Sequence, residues 1–157
     1  MMTDEVRTSL KNGLAAFQIH AAPNKILKRL SAEVATKRIS ENCHTIWELL
    51  HHMIFWQDIC LDAIDDKDVE WNRSKSENWP KADMKLDQKA LDERITYFLN
   101  GIESFSERAA SVELESSMRA WPKSTKVFAI QTIAQHNSYH LGQVVVLRQA
   151  LGDWPAE

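Results

Sequence analysis

The stretch VFAIQTIAQHNSYHLGQVVVL, Val127 to Leu147, contains no Asp, Glu, Lys or Arg, and its reading decides the fold. It is long enough to span a bilayer by the roughly 20-residue rule. It also carries Gln131, Gln135, His136, Asn137, His140 and Gln143, whose burial in lipid is costly, so a membrane span is rejected. The remaining reading is a long helix inside a protein core. A rotation of about 100° per residue then places each side chain. With His136 at zero, Ala129 and Leu147 lie about 20° away, Gln143 about −20°, His140 about 40° and Ile133 about 60°. The two histidines share the stripe that faces the interior. Ser124 or Thr125 is placed to cap this helix, and Gly152 to stop it after Leu151.

Outward from that helix, three further segments carry a helical apolar period and none shows the sustained alternation of a half-buried strand. The first runs from about Thr3 to His20, with Val6, Leu10, Leu14 and Phe17 on one face. An irregular connector follows Pro23, where Ile26, Leu27 and Leu30 suit a short helical turn and Ser31 suits a cap. The second begins at Thr45-Ile46-Trp47-Glu48, a capping box in which each side chain satisfies an orphaned backbone donor, and continues to about Ile64. The third, about Asp87 to Ala110, places Leu91, Ile95, Phe98, Leu99, Ile102 and Phe105 three and four apart. A long polar connection, Asp65 to Lys85, and a loop through Trp121-Pro122 join the later segments. The expectation is an all-α chain, a four-helix bundle with long connections.

At 157 residues the chain is expected to form one domain, 1–157. Apolar residues make up 44% and charged residues 26%, the balance of an ordinary soluble protein. A net charge of −3 provides no broad field for phosphates, which argues against a nucleic-acid partner. Asp4, Glu5, Arg7 and Lys11 interrupt what would be the apolar centre of an export signal, so none is expected. Cys43 and Cys60 form no CxxC pair, which fits a reducing cytoplasm.

The chemistry lies with the histidines. His136 and His140, at i and i+4, are close enough to bind one ion, and two imidazoles buried together without one are expensive to satisfy. Asn137 stands where the zinc-protease pattern His-Glu-x-x-His has its general base, so that mechanism is not available. On the second helix His51 and His52 are adjacent and point about 100° apart. His52 shares its side with Leu49, Phe55, Trp56, Ile59 and Ala63, whereas His51 sides with Trp47, Asp58 and Asp62. His52 is therefore the expected third ligand. Three imidazoles with a vacant position describe a catalytic rather than a structural ion site.

Glu48, one turn before His52, is a candidate acid or base, although the capping box already explains it. Gln143, one turn beyond His140, is a candidate for orienting a ligand or substrate, or else a core amide bonded to another helix. His20 and His44 lie at helix ends and need no special cause. Cys60 lies about 80° off the His52 direction, ordinary for a packed thiol. Opposite the histidines on the last helix, Val127, Gln131, Ala134, Ser138, Gly142, Val145 and Gln149 make an uncharged strip. It suits packing against another helix, a second subunit included, or a fully buried central helix.

Thr45-Ile-Trp-Glu-Leu-Leu-His-His-Met-Ile-Phe-Trp56, followed by His136-Asn-Ser-Tyr-His-Leu-Gly-Gln143, resembles the DinB/YfiT-like superfamily of bacterial metalloproteins. Trp79-Pro80, Val144 to Arg148 and Leu151-Gly-Asp-Trp-Pro155 add to the likeness. The resemblance implies a four-helix bundle, often dimeric, with a zinc or nickel site whose ligands correspond to His52, His136 and His140. It also implies relatives that include thiol-dependent isomerases and S-transferases. Two functions follow as expectations. One is a metal-dependent enzyme that activates a thiol or water for S-transfer or hydrolysis on a small molecule, with a low-molecular-weight thiol as partner. The other is a non-catalytic metal-binding homodimer of the stress response.

Overall fold

Side-chain caps set most of the helix starts. Thr3 accepts from the Val6 amide at the head of α1 (Asp4–Leu14). Pro23 opens the short α2 (Pro23–Ile26), and Ser31 caps α3 (Ala32–Thr36) through the Val34 amide. The Thr45–Glu48 capping box is formed in full at the start of α4 (Ile46–Ile64). Asp87 caps α5 (Gln88–Ser111) through the Ala90 amide. The last helix, α6 (Lys126–Ala150), has no side-chain cap at Thr125. Its first amides are met instead by the segment before it, Lys126 N–H donating to Ser116 O and Val127 N–H to Leu114 O. A two-stranded hairpin, β1 (Ser117–Met118) and β2 (Trp121–Thr125), holds that segment in place. This computed structural model describes residues 3–80 and 86–154, so the last five residues of the expected polar connection, and Pro155 of the closing motif, lie outside the described residues.

The helix ends explain one departure from expectation. The first helix stops at Leu14 rather than His20, and Phe17 is 58% exposed instead of joining the apolar face. Ala16 has φ 57°, Phe17 N–H donates to Asn12 O, and Ala16 N–H donates to Gly13 O. That is a Schellman termination with alanine where glycine is usual. The same pattern closes α4 at Asp66 (φ 55°) and α6 at Gly152 (φ 72°). Only the last of these carries the glycine signal that a sequence displays. The β-hairpin is a second departure, because strands of two and five residues are too short for alternation to register.

The fold is all-α apart from that hairpin, and its four long helices, α1, α4, α5 and α6, make the bundle. Helix α4 packs on α5 and α6, and α1 packs on the other side of the same two. Leu49, Leu50 and Met53 of α4, Phe98 and Phe105 of α5, and Ile130, Ile133 and Val144 of α6 are buried in one core. Each contributes about 1.5–3 kcal/mol by leaving water. Arg7 ties α1 to the end of α5 by donating to Ala109 O at 2.7 Å and Val112 O at 3.1 Å, where the helix dipole favours a cation. Helix α1 covers part of the uncharged α6 strip, with Gly13 beside Ala134 and Val127 at the core edge. Gln131, Gly142 and Gln149 of that strip stay exposed. Among the described residues no helix is long and apolar enough to cross a membrane.

Candidate metal centre

His52 enters the core side of α4 because Thr45 fixes where that helix begins, which puts Leu49, Phe55 and Ile59 on the same wall. His136 and His140 stand one turn apart on α6, and the α4–α6 contact brings all three imidazoles together. One ring nitrogen from each lies within 4.8 Å of the other two. His136 Nε2 and His52 Nε2 are 3.1 Å apart. Imidazoles bound tetrahedrally at about 2.0–2.1 Å set their nitrogens about 3.3 Å apart, so this spacing suits one ion. His51 points elsewhere, its Nε2 on Glu77 O at 2.9 Å.

The three rings are held neutral at physiological pH. Burial, then the neighbouring imidazoles, lowers His52 and His136 from 6.5 to about 4. Burial also lowers His140, against a smaller opposing effect from Gln143. Neutral imidazole is the form that ligates metal. Gln143 Oε1 accepts from His140 Nδ1 at 2.6 Å, which puts the ring proton on Nδ1 and leaves the Nε2 lone pair free. Nδ1 of His52 and Nδ1 of His136 are buried without a hydrogen-bond partner, as are both amide atoms of Asn137. Residues 18–144 match the family model of the DinB superfamily.

The chain belongs to the DinB superfamily. Among curated proteins and among solved structures, nothing matches it. Among the described residues of this DinB-superfamily bundle, the group that could hold an ion is His52, His136 and His140. Gln143 stands beside that group, bonded to a member of it.

Glu48 does not join them. Its carboxylate accepts from the Thr45 amide at 2.7 Å and from Arg38 at 2.5 Å, and lies 3.5 Å from His44 Nδ1. Arg38 and Thr45 hold its proton affinity below the usual carboxylate range despite some burial. Cys60 is buried, its thiol pushed up to about 12, and it takes no part in the cluster. One residue of the site was not singled out for it from sequence. Trp79, in the long connection, stacks on His52 (centroids 4.2 Å, planes 10° apart) and on His44 (3.8 Å, 5°). The indole is thus sandwiched between two imidazoles and covers one side of the candidate centre. The only signal was the Trp79-Pro80 dipeptide, because residues so far apart in sequence carry no shared periodicity.

Proposed function

We propose that this protein is a divalent-metal-dependent enzyme acting on a small molecule, with His52, His136 and His140 as ligands and zinc or nickel as the ion. The convergence of three neutral imidazoles at ion-sized spacing carries the reading. The donor set fits, since a borderline ion accepts imidazole nitrogen and three protein ligands leave a position open for reactants. A divalent ion held there supplies Lewis acidity toward a thiol or a water molecule, which is what S-transfer and hydrolysis require.

The chain's own side chains define the remaining roles. Gln143 fixes the tautomer and orientation of His140. Trp79 shields one face of His52 from water. Glu48 acts at a distance, holding His44 against the far side of Trp79. The unpaired Cys43 and Cys60 support a cytoplasmic setting. Metal analysis of the purified protein, followed by turnover assays with low-molecular-weight thiols and electrophiles, tests the reading. Stoichiometric metal that vanishes in His136→Ala and His140→Ala is expected. Unchanged metal content in both variants contradicts it.

A second reading is a non-catalytic metal-binding homodimer of the stress response. It is supported by Phe128 (48% exposed), Tyr139 (66%) and Val146 (60%), large apolar or aromatic side chains that stay largely open on one side of α6. Sedimentation equilibrium with and without zinc, taken together with the turnover assays, separates the two, because this reading requires a dimer and no turnover.

A further inference from the structure

Among the glycines, Gly142 is the one beside open space within a helix. A side chain at Gly101 would collide with the Gln57 amide, Gly152 has φ 72°, and a Cβ at Gly13 would make an ordinary contact with Ala134 at 3.9 Å. A Cβ at Gly142 would meet nothing within 4 Å. Glycine in a helix interior is destabilising relative to alanine, and here no neighbouring group in the chain requires it.

The open space beside Gly142 is a cavity of about 450 Å³ between α6 and the segment that precedes α4. Ile39, Leu49, Val146 and Leu147 make it predominantly apolar. Asn42, His44, Tyr139 and Gln143 form its polar border, and His44 and Gln143 lead to the candidate centre. Gln143 is bonded to His140, and His44 is stacked on the indole that covers His52. Among the described residues no Asp, Glu, Lys or Arg lines it. A carboxylate or phosphate seated there would lose water and gain no cation, which is costly, whereas an uncharged apolar group loses nothing.

We propose that this cavity seats the uncharged, apolar portion of the substrate, of the size of one or two fused rings, and that Gly142 is glycine to leave room for it. The proposal deepens the metal-enzyme reading and rests on it for the reaction, since the cavity by itself binds and does not react. It assigns any charged part of a thiol partner to a place outside the cavity. Gln143 then stands where the bound group meets the ligand set, so substrate and ion are read by one side chain.

Cys43 lines the cavity, while Cys60 is buried in the core, so alkylation of Cys43 by iodoacetamide reports occupancy. The full chain, zinc-loaded and metal-free, is labelled in the presence of 2-acetylnaphthalene or of 2-naphthoate, which has a similar ring system but carries an anionic charge. At ten times its dissociation constant the neutral probe slows Cys43 labelling about tenfold, and the anion at the same concentration slows it less than about twofold. Gly142→Phe fills the space and abolishes saturable protection while zinc content and helicity stay unchanged. Val146→Trp, at a 60% exposed position on the rim, does the same if Gly142→Phe fails to fold.

Equal protection by both probes, no protection, or protection that survives both variants overturns the proposal. So does labelling that depends on protein concentration rather than on probe, which makes this face a contact between copies. Protection without zinc binding leaves the cavity standing and the metal reading refuted. Zinc binding without protection does the reverse.

Discussion

Replacing Gln143 by leucine removes the hydrogen bond that fixes the proton of His140 on Nδ1, a contact of 2.6 Å. No other Nδ1 in the cluster has such a partner, since those of His52 and His136 are buried and unpaired. Loss of a group that orients a metal-bound histidine costs about 10–100-fold in metal affinity. Two of the three rings are positioned without Gln143, by core packing and by the stack on Trp79, which argues for the lower end of that range. Zinc affinity should fall about tenfold, or about 1.4 kcal/mol. Gln143→Glu keeps an acceptor facing Nδ1 and strengthens it with charge, so it should bind zinc within about threefold of the parent or more tightly. The assay is a competition titration against a chromophoric chelator at constant pH. Parent-like affinity in Gln143→Leu, or equal weakness in both variants, refutes the tautomer argument.

Trp79→Ala deletes two aromatic stacks and should lower stability by about 1–3 kcal/mol, measured by urea unfolding. It should also speed zinc loss to a chelator by exposing His52. Gln57 is fully buried with both amide atoms unpaired, so Gln57→Leu should leave stability unchanged or raise it by about 1–2 kcal/mol in thermal melts. Gly101→Ala, which drives a methyl into that amide, should cost about 1–3 kcal/mol despite the better helix propensity of alanine. Gln57→Ala in the same chain should restore most of that loss. In the metal-free protein, His52 and His136 titrate at about 4 when folded and near 6.5 when unfolded, so the unfolded chain takes up their protons first. Their contribution to stability is full above about pH 6.5 and is lost progressively as pH falls toward about 4. Urea midpoints across that interval should fall for the parent and fall less for the His52→Gln, His136→Gln double variant.

Much of this was legible because two local rules act strongly here. The Thr45–Glu48 box fixed the phase of α4, which is why His52 could be separated from His51 by rotation alone. The uncharged run in α6 identified a helix whose inward stripe carried both other histidines. The failures were non-local or lacked a compositional mark. Ala16 ends α1 in a conformation that glycine usually adopts, so the reading ran on to His20. The β1–β2 hairpin, whose segment meets the first amides of α6, is too short to show a period. Trp79 reaches His44 and His52 from a polar connection, a tertiary placement that its neighbours do not encode. The capping box read from Thr45 and Glu48 is formed, and that is what keeps the Glu48 carboxylate out of the cluster.

The most direct test is anomalous diffraction at the zinc edge from crystals of the zinc-loaded protein. A single peak is predicted among the Nε2 atoms of His52, His136 and His140, at about 2.0–2.1 Å from each, with a non-protein fourth ligand. A peak elsewhere, a fourth protein ligand closing the site, or no peak in protein saturated with zinc contradicts the account.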